Sequence, residues 1–157
     1  PLLEMTDLVY SLPKFRSQAL RIRKGLAKYY ISDLALRNAV MRLTDSLLDN
    51  HELLGLYAEN LVFLTLRRSK NILQIDYYRE KNNEVDFTVH TVSGKYLPIE
   101  VQYRNSIEKK YLSGIEYFRD KQEKTDFGLV ITKHWSDSGE MFGNFAIPLP
   151  LYLVMTG

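Results

Sequence analysis

The chain has 157 residues, a formal net charge of +2 and no cysteine. It suits one domain, or one domain with an appendage, and is long enough to bury a core. Without cysteine, disulfides, thiolate zinc sites, thiol nucleophiles and iron–sulfur clusters are excluded. Three isolated histidines, His51, His90 and His134, argue against a His-rich transition-metal site, so a metal here would sit on oxygen. The longest apolar run, Ile147 to Met155, contains Pro148 and Pro150 and is too short to span a bilayer. No membrane partner is expected. With no secretory leader visible and Pro1 at its start, the chain reads as a cytoplasmic fragment of something longer.

In chain order, Leu2 to Met5 reads as the tail of a helix. Residues 1–30 carry +4, from Lys14, Arg16, Arg21, Arg23, Lys24 and Lys28 against Glu4 and Asp7, and the remainder carries −2. A basic front is either a weak pointer to a polyanion or a solvated terminal hairpin. Leu8 to Leu12 and Leu26 to Ile31 read as short strands joined by a basic loop, resembling the wing of a winged-helix unit. Ser32-Asp33 caps a helix over Leu34 to Arg42, and Leu43 to Asn50 reads as a loop or linker. Residues 1–50 are thus expected to form a partial winged-helix-like segment, and 51–157 the main domain.

Residues 52–69 hold the strongest helix, with Leu53, Leu54, Tyr57, Leu61 and Leu64 at helical spacing. Leu56, Val62, Phe63 and Leu66 add a second apolar side, so this helix is expected to be buried nearly all round. Ile72 to Arg79 and Glu84 to Thr91 form a hairpin about Lys81-Asn82-Asn83. Ser93-Gly94 turns into a strand over Tyr96 to Tyr103. A helix from Ile107 to Gln122 presents Tyr111, Leu112, Ile115 and Phe118 on one face. A strand over Phe127 to Thr132, a polar loop over Lys133 to Glu140 and a last strand over Ala146 to Val154 follow. This order predicts an α/β fold with a mixed central sheet flanked by helices.

The informative residues are carboxylates. In Glu84-Val85-Asp86-Phe87-Thr88-Val89, alternation gives residues 85, 87 and 89 one face and Glu84, Asp86 and Thr88 the other. In the next strand Leu97, Ile99, Val101 and Tyr103 point inward, and Glu100, Gln102 and Arg104 share the opposite face. If these strands pair, Asp86 and Glu100 converge on a hard-oxygen site suited to Mg²⁺ or Mn²⁺. Such an ion neutralises a phosphate and activates a water. Glu59 lies inside the most apolar helix, where a carboxylate needs a metal or a partner such as Arg67 or Arg79.

Glu59, then Glu84-Val85-Asp86-Phe87, then Ile99-Glu100-Val101-Gln102 resembles the PD-(D/E)XK nuclease superfamily. The resemblance implies a restriction-endonuclease-like fold, with Mg²⁺ or Mn²⁺ on Asp86 and Glu100 and with Glu59 in support. It places Gln102 where that superfamily has lysine. Glu59, Asp86, Glu100 and Gln102 are then the expected catalytic set, and Arg79, Arg104, Lys109 and Lys110 the expected nucleic-acid contacts. Tyr29-Tyr30-Ile31-Ser32-Asp33-Leu34-Ala35-Leu36, Leu54-Gly55-Leu56-Tyr57-Ala58-Glu59-Asn60 and Tyr77-Tyr78-Arg79 carry a closer likeness. They resemble the uncharacterised nuclease-like domain found C-terminal to the ATPase module of many prokaryotic AAA-type ATPases. That implies an attached ATPase module as partner and DNA as substrate, and leaves the oligomeric state open.

Two departures bear on function. Gln102 can orient a water but adds no charge where lysine would; Arg104, on the same strand face, is the candidate substitute. No Gly-x-x-x-x-Gly-Lys-Ser/Thr occurs in the chain, so ATP is expected only in another part of the parent protein. Three functions follow: a metal-dependent nuclease, a nuclease-fold module that binds DNA or protein and regulates the ATPase, and a winged-helix regulator with an α/β effector domain. The third is disfavoured because the front lacks a complete recognition helix. Acyl transfer has no motif to support it, and His134-Trp135 reads as surface. Tyr103, Tyr111 and Tyr117 are candidates for base stacking, with core packing the better reading for the first two.

Overall fold

The computed structural model describes residues 2–16, 27–42 and 49–156. Arg21, Arg23 and Lys24 of the basic front, and residues 43–48 of the expected linker, lie outside them. A short helix α1 (Leu2–Met5) leads into β1 (Val9–Leu12), which pairs antiparallel with β2 (Lys28–Ile31). Asp33 caps α2 (Leu34–Met41) by accepting from the amides of Ala35 and Leu36. Asn50 does the same for α3 (His51–Arg68), accepting from the Leu53 amide. Ala58, Asn60, Val62, Phe63 and Leu66 are the buried residues of α3. Leu56 is 56% exposed, so this helix is one-sided and not buried nearly all round.

Six strands form the central sheet in the order β3-β4-β5-β6-β8-β7. They are β3 (Ile72–Glu80), β4 (Asn83–Thr91), β5 (Tyr96–Gln102), β6 (Leu129–Thr132), β7 (Gly139–Met141) and β8 (Asn144–Pro148). The first three run antiparallel, β5, β6 and β8 run parallel, and β7 closes the edge antiparallel to β8. A 3-10 turn (Lys109–Leu112) continues into α4 (Ser113–Lys121), which carries the chain from β5 to β6. β6 is buried at every residue, which is why Leu129-Val130-Ile131 is unbroken apolar sequence. The front segment covers the β3 edge, the Phe15 amide donating to the Tyr77 carbonyl at 2.7 Å and the Tyr77 amide to the Pro13 carbonyl at 3.0 Å. The mixed α/β sheet flanked by helices is the fold class expected.

Each face of the sheet has its own apolar cluster. Leu12 and Tyr30 of the front hairpin, Phe63 of α3, Phe87, Ile99 and Ile131 of the sheet, and Tyr152 near the C-terminus form one. Tyr78, Val85, Leu112, Ile115, Phe118, Val130 and Ala146 form the other, around α4. Val85 and Phe87 therefore face opposite ways, against the simple alternation expected for β4. The register explains it. Asp76 pairs with Thr88 and Tyr78 with Val85, so β4 carries an extra residue there and the pleat changes phase.

Other boundaries also moved. The helix expected from Ile107 is a 3-10 turn from Lys109 and then α4, and the strand expected from Phe127 begins at Leu129. The polar stretch after it holds a 3-10 turn (Trp135–Asp137) and β7. The last strand expected over Ala146 to Val154 is instead β8 followed by α5 (Leu149–Thr156). Pro150 lies in the first turn of α5, where a missing N–H costs a helix nothing, whereas in a strand continued beyond Pro148 it would interrupt the ladder. Among the described residues no helix is long and apolar enough to cross a membrane.

Candidate active site

The site forms where the β4–β5 ladder ends. Pairing runs from His90–Tyr96 to Phe87–Ile99 and stops there. One residue on, next to the extra residue of β4, Asp86 replaces the ladder with its side chain: Oδ2 accepts the Val101 N–H at 3.0 Å. The Asp86 N–H in turn donates to Glu100 Oε2 at 3.4 Å. Bulge and ladder end together bring the two carboxylates side by side.

Glu59, on α3, reaches the same place through a residue of the front hairpin. Lys28 Nζ lies 3.0 Å from Asp86 Oδ1, 3.1 Å from Glu84 Oε1 and 3.2 Å from Glu59 Oε1. The ammonium donates to Asp86 and to Glu59 and forms an ion pair with Glu84. The Tyr30 hydroxyl donates to Glu59 Oε1 at 2.6 Å. Asn60 anchors the strand behind them, its side chain exchanging two 2.9 Å hydrogen bonds with the backbone of Ile31. Glu59 therefore pairs with Lys28 and Tyr30. Arg67 stacks on Tyr10 and Arg79 pairs with Glu84 at 3.2 Å.

Burial pushes the Asp86 carboxyl up to about 6, with repulsion from Glu59 adding to it and Lys28 and the Val101 N–H opposing. Glu100 rises well above the usual carboxylate range through burial and then through Asp86. Burial also works against the charge on Lys28, but Asp86, Glu59 and Glu84 outweigh it and hold the ammonium firmly protonated. The Tyr30 hydroxyl is held protonated by burial and by Glu59. One half-buried cation, Lys28, faces four carboxylates, Glu59, Glu84, Asp86 and Glu100, and of these Glu84 also has Arg79.

Gln102 is 4% exposed and donates from Nε2 to Glu100 Oε1 at 3.1 Å. Its own Oε1 is buried with no hydrogen-bond partner among the described residues. The expected nucleic-acid residues are more scattered. Arg79 adjoins the cluster through Glu84, whereas Arg104 stacks on Tyr111, Lys109 pairs with Glu116 and Lys110 with Glu108. Beside Lys28 and Glu59 lies a cleft of about 470 Å³, lined also by Tyr29, Arg37, Leu56 and Tyr57.

Among the described residues no three carboxylate or imidazole groups stand ready around a metal position; Lys28 stands among the carboxylates instead. The donor chemistry nonetheless fits a hard cation. Asp86, Glu100 and the orphaned Gln102 Oε1 offer only oxygen, and the excess negative charge is what such an ion would relieve.

Sequence reasoning missed Lys28, Tyr30 and Glu84 as members of the site. In the sequence Lys28 stands out only as one of the basic residues of the front. The available signal was strand alternation: two residues before Tyr30 in the short strand, Lys28 shares its face, and a lysine beside a core-facing tyrosine needs an anion.

Residues 54–152, more than half of the chain, match the family described as Domain of unknown function (DUF4143). No curated protein and no solved structure matches the chain.

Proposed function

The chain belongs to the DUF4143 family, and we propose that its carboxylate cluster is the active site of a Mg²⁺- or Mn²⁺-dependent nuclease acting on DNA. In this reading the chain is the nuclease-like part of a prokaryotic AAA-type ATPase, whose attached module carries ATP. The observation that carries the reading is the excess of negative charge at the end of the β4–β5 ladder, where burial raises the proton affinity of both carboxyls, Glu59 raises that of Asp86 further and Asp86 that of Glu100. Two carboxylates arranged so are costly unless a cation shares them. Asp86 and Glu100 would hold that cation, with Glu59 in support and Gln102 offering a neutral oxygen. A bound divalent ion neutralises a phosphodiester and acidifies a water for attack. Arg79, exposed beside Glu84, would meet the DNA backbone.

The test is plasmid cleavage in Mg²⁺ and in Mn²⁺, comparing wild type with Asp86→Ala and Glu100→Ala. Loss of cleavage in both variants is expected, and cleavage that survives both substitutions would sink the site. A second reading, a non-catalytic module that binds DNA or protein and regulates the ATPase, is favoured by Gln102, which supplies no charge at the position where the superfamily has lysine. DNA retained in a filter-binding assay, without cleavage under any metal, would select it.

A further inference from the structure

We infer that Lys28 is a built-in cation occupying the divalent-ion seat, so that the Lys28 latch and a bound metal exclude one another. The inference rests on reading the carboxylate cluster as a cation site, and it concerns how that site is regulated.

Geometry comes first. Of the two Asp86 oxygens, Oδ2 is turned to the Val101 N–H and Oδ1 to Lys28. An ion on Asp86 Oδ1 therefore meets the ammonium at that oxygen. The same Nζ also holds Glu59 and Glu84 at 3.2 and 3.1 Å, so it neutralises the very groups that would otherwise draw a cation in. An ammonium and a dication sharing one buried carboxylate oxygen repel each other strongly, because little water screens them there.

The latch has somewhere to go. The Lys28 side chain keeps 25% of its surface exposed, and it lines the cleft of about 470 Å³ that also holds Tyr29, Arg37 and Glu59. The backbone beneath it is fixed, since β2 pairs with β1 and Ile31 is tied to Asn60. What moves is the four-carbon stem, swinging the ammonium out of the cluster while the hairpin stays. A phosphate chain lying in the cleft would offer the displaced ammonium a new partner. Metal and polyanion are therefore expected to bind with positive coupling, each removing the obstacle to the other.

Calorimetric titration with Mn²⁺ tests this on wild type and Lys28→Met. The variant is expected to bind roughly tenfold more tightly, within the usual range of such couplings; equal or weaker binding, or no binding by either protein, overturns the inference. A measurement on wild type guards against a variant that fails to fold. In a sample with ¹⁵N-labelled lysine, the Lys28 ammonium should give a protected signal that moves to the position of a free lysine as Mg²⁺ is added. A protected signal that persists at Mg²⁺ saturation overturns the latch. Mn²⁺ binding that tightens in Lys28→Met without any plasmid cleavage by wild type would sink the hydrolytic reading and leave the latch standing.

Discussion

At the scale of single residues, Asp86 carries the most consequence, because it is both a structural tie, accepting the Val101 N–H, and a carboxyl held above its ordinary range. Its carboxyl is pushed from 3.8 up to about 6, by burial first and by Glu59 second. The sign of the effect on stability follows directly. Between those two values the folded protein holds a proton that the unfolded chain has released, so stability falls as pH rises through that window. Asp86→Asn, which cannot titrate, is expected to gain stability relative to wild type between about pH 4 and pH 6. Thermal melts of the two proteins at several pH values check this, and a difference that stays constant would refute the shift. Glu100 shifts in the same direction and is read by the same comparison with Glu100→Gln.

At the scale of elements, the site depends on how α4 sits against the start of β4. A Cβ placed on Gly114 would lie 1.8 Å from the Glu84 carbonyl oxygen, and backbone cannot yield as a side-chain tip would. Gly114→Ala is expected to cost about 3 kcal/mol, at the upper end for overpacking, measured by urea unfolding. A cost near zero would mean that helix and strand separate freely. Much of this level was legible: the cap at Asp33, the one-sided strand β5 and the order of elements from α3 to β6 follow from local pattern. The phase change in β4 was not. A bulge is set by which residues of two strands pair, and periodicity within one strand contains nothing about its partner. The final helix was missed for a related reason: Ile147-Pro148-Leu149-Pro150 is apolar in either state, and burial against the sheet decides between them.

At the scale of the whole molecule, the front hairpin is part of the machinery. Leu12 and Tyr30 lie in the same cluster as Phe63 and Phe87, with the Tyr30 and Phe63 rings stacked at 4.2 Å, while Phe15 meets Tyr96 and Phe118 on the other face. Removing residues 1–42 is expected to cost roughly 4 kcal/mol or more, the scale of losing a large buried side chain. It should expose the inner face of α3. A lower urea midpoint and increased binding of a hydrophobic dye would show this, and an unchanged midpoint would contradict it. The same truncation takes away Lys28.

The amino-acid sequence by itself determined the chemistry on offer. Lacking cysteine and holding only scattered histidines, it leaves oxygen as the metal donor and places Asp86 and Glu100 on two successive strands, whereas the bulge of β4 and the end of its ladder with β5 bring the two carboxylates together. Periodicity also sufficed for the fold class, since one-sided apolar patterns specify which elements must cover which. Only the tertiary structure decided what stands opposite those carboxylates. Lys28 is 31 residues from Glu59 and 58 from Asp86 along the chain, and no local pattern encodes a contact at such separations. The contact exists because the hairpin buries Tyr30 against α3, and that burial places the neighbouring ammonium among the acids.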